Sequence, residues 1–441
     1  MRGVLGDEAE ALFRVLDTEP VTSIRLNPAK PSIGVDGEVV GWCTWGRYLA
    51  ERPQFTLDPL LHGGAYYVQE ASSQFVAHLL AGDNLAGCRI LDMCAAPGGK
   101  STIYSTLVGG EGLVVSNDIS RSRALALSDN VQRWGMGNVV VTCNEPSHIG
   151  DFEHWFDVVA VDAPCSGEGM FRKMIEARTE WSASSPAQCA ARQRDILIEA
   201  WRALRPGGKL IYSTCTFSPT EDEDMVSWMV ETFGDELVAA SQVDTPEEWG
   251  IIRGEIGPVQ HFHFYPHKAR GEGFFAAVAC KREGAVRRVT PKPRRRLFAS
   301  LTKSDMAEAM RWLSAPEEMS LRMVGDMIYG YHKAVVEDVR ALSESLSVLY
   351  SGVALGQIFK GRLKPEHALA LYVGRSREVV PMVELSEEEA VGYLRRGDVV
   401  ASHFEEGINI VGYRGLAIGF VKRIGARCNN MYPKDLRIMN L

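Results

Sequence analysis

Between Arg89 and Lys281 short apolar runs alternate with longer amphipathic stretches. RILDM, LVVSN, VVVTC, FDVVAVD, KLIYSTC and FFAAVAC are apolar at consecutive positions, so these strands are expected to be buried on both faces. Helical stretches separate them, one from Ser120, one near Ala187 to Leu204 and one from Pro219. Strands alternating with helices predict a parallel sheet covered on both sides, an α/β fold of Rossmann-like type. Upstream, the pattern predicts a helix from Glu8 to Leu16 and a strand from Val21 to Leu26. The spacing of Val68, Ala71, Phe75 and Leu79 predicts a buried helix over Val68 to Leu80. Downstream, RRVTPKPRRRLFAS at 287–300 holds six basic residues, two prolines and no acid, the composition of a linker. The chain therefore divides into a mixed α/β segment at 1–60, the sheet domain at 61–286, the basic linker at 287–300 and a C-terminal region at 301–441.

Composition narrows the function classes. With 441 residues, 46% hydrophobic and 24% charged, the chain is long enough for several cores and is not disordered as a whole. No apolar run reaches the length of a membrane span, and the N-terminus carries acids where a signal peptide is apolar, so a cytoplasmic protein without a membrane partner is expected. Nine cysteines without short-spaced pairs argue against a disulfide framework and leave individual thiols as candidates for reactivity. The net charge of −8, taken alone, argues mildly against a nucleic-acid partner.

The first candidate site is LDMCAAPGGKST, Leu91 to Thr102, where a strand passes through a glycine turn into a helix. Such a turn offers backbone N–H groups to a ligand, and glycine allows close approach. A phosphate-binding P-loop needs glycine at position 94, where this chain has Cys94, and the GxGxxG pattern is absent. Asp118, at the end of the next strand, is placed to hold ribose hydroxyls. A nucleoside-type cofactor without a pyrophosphate fits best, ahead of a nucleoside triphosphate or a structural turn.

Asp162 and Cys165 follow FDVVAVD, and Cys215 ends KLIYSTC. Ligands of open α/β sheets bind beyond the carboxyl ends of the strands, and neighbouring strands lie about 5 Å apart, so the two thiols are expected to share one site. Ser218-Pro219-Thr220-Glu221 has the form of a capping box, which would put a helix N-terminus beside Cys215 and favour its thiolate. The acids Glu221 to Asp224 are then expected in a solvated first turn. A redox disulfide between Cys165 and Cys215 is the alternative. His261, His263 and His267 admit a metal reading, but no nearby acid or cysteine completes a ligand set, and no metal is expected.

Together LDMCAAPGGKST, the ND at 117–118, VDAPCSGEGMFRK, YSTCTFSPTEDE, PHKARGEGFFAAVA and YVQEASSQFVA resemble the S-adenosylmethionine-dependent RNA cytosine-5 methyltransferases of the RsmB/NSUN superfamily. GEGMFRK, GRLKPEHALAL and GFVKRIGARCNNMYPKDLR resemble its bacterial RsmF (YebU) branch, which acts on 16S rRNA and carries a PUA-like RNA-binding domain. The resemblance implies S-adenosylmethionine as cofactor, with Cys94, Ala95, Ala96, Pro97, Gly98, Gly99 and Lys100 around its methionine part, Asp118 on the ribose and Glu145 near adenine. Asp162 would contact both cofactor surroundings and target base. Cys215 would be the nucleophile and Cys165 the residue aiding product release, with Lys100 favouring the thiolate. Cys165 as nucleophile is the runner-up.

A thiolate adding at C6 would make cytosine C5 reactive enough to accept a methyl group, with Cys165 then assisting release as a general base or through a water. The implied partner is RNA, 16S rRNA or the small ribosomal subunit, with tRNA or a non-catalytic assembly role as alternatives, and the protein is expected to be a monomer. Charge distribution accommodates this. The basic linker, and the last thirty residues with six basic side chains against Asp435, are local exceptions in an acidic chain, and phosphate contacts depend on local basic surface.

Overall fold

The computed structural model describes residues 2–439. Five strands of the central sheet are parallel and lie in the order Leu204–Thr214, Phe156–Asp162, Arg89–Asp92, Leu113–Asn117, Val139–Thr142. The inner strands are buried along almost their whole length, because helices such as Gly99–Val108, Arg121–Trp134 and Ser185–Ala203 cover both faces. Chain order reverses between Arg89–Asp92 and Phe156–Asp162, so the crevice opens at the carboxyl ends carrying Asp92 and Asp162. This is the Rossmann-like arrangement expected of the pattern. Phe274–Lys281 extends it antiparallel to Leu204–Thr214, followed by the hairpin Ile252–Ile256 and Val259–Phe264.

The opposite edge is completed from beyond the linker. Val348–Ser351 pairs antiparallel with the Val139–Thr142 strand. The linker itself forms no helix or regular strand, yet it is pinned. Arg288 pairs with Asp338 at 2.5 Å and sits 3.5 Å from the Trp155 ring centroid, and Arg295 donates to Leu346 O at 2.7 Å. Two of its six basic side chains are thus committed to the fold rather than free in solvent.

The N-terminal segment forms an antiparallel sheet in the order Glu38–Val40, Cys43–Tyr48, Ser23–Leu26, Tyr66–Val68. The helix expected over Val68 to Leu80 is corrected here. Val68 lies on a strand, opposite Ile24, and helical structure begins only at Ser72, as a 3-10 turn leading into Val76–Leu79. Pairing of aromatic and β-branched Tyr66–Val68 with the neighbouring strand overrides the spacing, while Ala71, Phe75 and Leu79 still enter the core. Further on, two four-stranded sheets follow, one running from Met319 to Pro365 and one from Met382 to Asn430. The last packs on the N-terminal segment: Ile24, Leu60 and Tyr66 share a core with Tyr393, Val411, Leu416 and Ile418. Among the described residues no helix is long and apolar enough to cross a membrane.

Candidate active site

The glycine turn depends on its neighbours. Gly98 has φ of +110°, and a Cβ there would lie 2.8 Å from Leu127 Cδ1. Asp92 closes the floor of the turn. It is 1% exposed, accepts from Ser101 Oγ at 2.7 Å through Oδ2, and leaves Oδ1 buried without a partner. Burial, helped by the nearby Asp162 charge, pushes its pKa up to about 7. Beside it, burial also raises the Cys94 thiol. Asp92, Cys94–Pro97, Gly99, Lys100 and Asp162 line a cavity of about 170 Å3 together with Tyr67 and Gln69. Beneath the turn lies fully buried Arg25, which donates to Gln69 Oε1 at 2.8 Å, Gly99 O at 3.1 Å and Thr102 Oγ1 at 2.5 Å, with Trp134 below it. Sequence reasoning missed Arg25 and Gln69; the available signal was a lone charge inside the otherwise buried SIRL strand.

Asp118 is buried at the next strand end. Its Oδ1 accepts from Ser120 N at 2.9 Å, and Arg123 approaches Oδ2 at 3.3 Å while donating to Ala96 O. Glu145 stands exposed just before the short helix Pro146–Gly150, at the rim of a second cavity of about 450 Å3.

The two cysteine loops meet. Asp162 and Ser213 are register partners on neighbouring strands, and Cys165 Sγ lies 3.2 Å from Cys215 Sγ, with Cys215 N donating to Cys165 Sγ at 3.3 Å. The hydrogen bond to Cys215, together with burial, drives the Cys165 thiol well above its usual range. Asp162 bridges Lys100 Nζ at 2.8 Å and accepts from Ser213 Oγ at 2.8 Å. Burial opposes the Lys100 charge, but Asp162 outweighs it, with Asp92 and Cys215 adding to the effect, and the ammonium is held above its usual pKa. Lys100, Asp162, Cys165 and Cys215 are therefore brought together, with the loop Cys94–Gly99 beside them; Asp118 and Glu145 lie outward along the same strand ends.

The capping box does not form. Residues 218–222 make a turn, and the helix starts at Glu223. Glu221 and Asp222 are completely buried. Glu221 accepts from Ser166 N at 3.0 Å, Ser166 Oγ and Gln193 Nε2 at 2.9 Å, while Thr214 Oγ1 donates to Asp222 at 2.7 Å. These inward donors outcompete solvent, so Glu221 ties the two loops together and Asp222 fastens the turn to Thr214 rather than forming a wet first turn, and the expected helix start beside Cys215 is displaced to Glu223. Thr216 and Trp181 complete the network by donating to Glu168, which also lies 2.7 Å from Ser166 Oγ. His263 lies against Glu223 at 3.0 Å, and His267 is 3.8 Å from Glu8.

Three stretches of the chain match known families. The family described as 16S rRNA methyltransferase RsmB/F matches residues 79–279, the N-terminal domain of 16S rRNA methyltransferase RsmF matches 1–71, and the methyltransferase RsmF PUA domain matches 380–438. Ribosomal RNA small subunit methyltransferase F of Salmonella paratyphi A is 32% identical over 437 residues, covering 94% of this chain and 90% of that protein. Its counterpart from Photobacterium profundum is 31% identical over 411 residues, covering 90% and 84%. The solved structure of a methyltransferase homolog protein from Pyrococcus horikoshii matches with a TM-score of 0.51 at 27% identity, over 63% of this chain and 91% of that one.

Proposed function

The chain belongs to the RsmF family of 16S rRNA methyltransferases, and from that premise we propose that it forms 5-methylcytosine in 16S rRNA, using S-adenosylmethionine and a covalent bond between Cys215 and cytosine C6. The observation that carries the reading is the pair of thiols 3.2 Å apart beside the Asp162–Lys100 ion pair.

The crevice suits the cofactor. Asp92 presents an unpartnered buried oxygen next to the smaller cavity, as a site for a cationic amine would. Residues Cys94 to Lys100 would surround the methionine part, Asp118 the ribose and Glu145 the adenine. When bound, S-adenosylmethionine supplies an electrophilic methyl group.

The protein's own groups do the rest. Cys215 adds to C6, and the ring electrons move toward C5, which becomes the nucleophile. Lys100, held as the ammonium beside Asp162, would offset the negative charge of the attacking sulfur. Asp162 accepts from the exocyclic amino group and fixes the base, which must be flipped out of any stack to reach it. For release, the C5 proton leaves to solvent and its bonding electrons expel Cys215. Cys165, in contact with Cys215, would assist that release as a general base or through a bound water. RNA is gripped by the N-terminal segment at 1–60 and by basic surface in the region 301–441, in a cytoplasmic monomer.

Cys165→Ala is expected to accumulate a covalent RNA adduct on a denaturing gel, and Cys215→Ala to form none; adduct in the Cys215 variant would transfer the nucleophile's role to Cys165. Bisulfite sequencing of RNA from a deletion strain should lose a 5-methylcytosine from 16S rRNA. Loss from tRNA alone, or no loss at all, would overturn the substrate or the catalytic assignment.

A further inference from the structure

The larger cavity, about 450 Å3, has walls from both sides of the linker. Its inner wall is Ile119, Cys143, Asn144, Glu145 and His148. Ile119 directly follows the buried acid Asp118 and leaves 59% of its surface exposed, an apolar shelf at the cavity mouth. The outer wall is Arg294, Arg295 and residues 344–347, all from beyond the sheet domain.

That outer wall is built into the sheet. Cys143 N donates to Ser347 O at 2.9 Å, Asn144 Nδ2 donates to the same oxygen at 3.2 Å, and Ser347 N donates to Asn144 Oδ1 at 3.0 Å. Val348–Ser351 then continues as the edge strand. From outside, Arg295 clamps the segment through Ser343 O at 3.3 Å and Leu346 O at 2.7 Å, and Arg294 N donates to Glu344 O at 2.8 Å. An apolar shelf facing a polar rim, in a volume within the usual range of ligand pockets, suits a flat heteroaromatic ring with an exocyclic amino group.

We propose that residues 344–347, clamped by Arg295, form the outer wall of the adenine subsite, so that the region beyond the linker binds cofactor as well as RNA. The proposal rests on the S-adenosylmethionine reading given above. Isothermal titration of the full chain with S-adenosylhomocysteine tests both and separates them. Wild type should bind, and Asp118→Ala should lose binding. Ser347→Trp, which places an indole against the cavity, should bind about tenfold more weakly, and Arg295→Gln several-fold more weakly, each with the ligand-free melting temperature of wild type. No binding by wild type would overturn the cofactor reading itself. Binding by wild type that Asp118→Ala abolishes and both outer-wall variants leave unchanged would overturn this proposal alone. Should tryptophan lower the melting temperature, the Arg295→Gln affinity decides, since that change removes only a partly solvated clamp.

Discussion

Burial sets the charge of Asp92. Its folded pKa of about 7 lies far above that of an unfolded aspartate, so the folded chain holds a proton that the unfolded chain has already released. The resulting stabilisation is complete below the unfolded pKa, near 3.8, and is lost as pH rises through about 7. Asp92→Asn should remove this dependence. Its stability relative to wild type is expected to rise by about 1–3 kcal/mol between pH 5 and pH 8 in urea denaturation; a flat difference would mean that Asp92 stays ionised. Asp162, Cys165 and Cys215 were legible in the sequence because parallel strands deliver their carboxyl ends to one crevice. Arg25 was not, because its partners lie on segments far along the chain, and the lone charge in SIRL does not say which they are.

At the scale of elements, the turn 218–222 shows where local rules give way. Ser-Pro-Thr-Glu has the spacing of a capping box, but Ser166 and Gln193 offer Glu221 buried donors that an exposed helix start cannot match. The consequence is mechanical: Glu221 joins the Cys165 loop to the Cys215 loop. Glu221→Ala should separate them and lower kcat by about 10–100-fold, with little change in KM for cofactor, whereas Glu221→Gln, which keeps an acceptor, should retain more activity. Equal rates for both variants in a methyl-transfer assay would remove the loop-joining role. The same competition explains Tyr66–Val68, where a strand partner defeats a helical spacing.

For the whole molecule, net charge misleads. RNA is to be held by local basic surface, and the linker contributes less of it than its composition implies, since Arg288 and Arg295 are engaged within the protein. The exposed Lys422 and Arg427, on the last sheet, are better candidates. Replacing both with alanine should weaken RNA binding and flatten the slope of log affinity against log salt by about 1–2, with cofactor affinity unchanged; an unaltered slope would place the phosphate contacts elsewhere. The sheet domain was readable from periodicity alone, whereas its closing strand was not, because Val139–Thr142 and Val348–Ser351 are separated by residues 143–347.

That distant pairing also imposes an order on synthesis. As the chain leaves the ribosome, the Val139–Thr142 strand is made long before its outer neighbour, and until residue 351 has emerged it presents an unpaired edge rich in valine. Nascent chains stalled before 348 are therefore expected to pellet or recruit chaperones more than chains stalled after the hairpin of Val353–Phe359 and Arg362–Pro365 has emerged, a difference readable by sedimentation of ribosome-bound intermediates. The stretch beyond the linker thus acts as a seal on a sheet whose candidate site residues were translated long before.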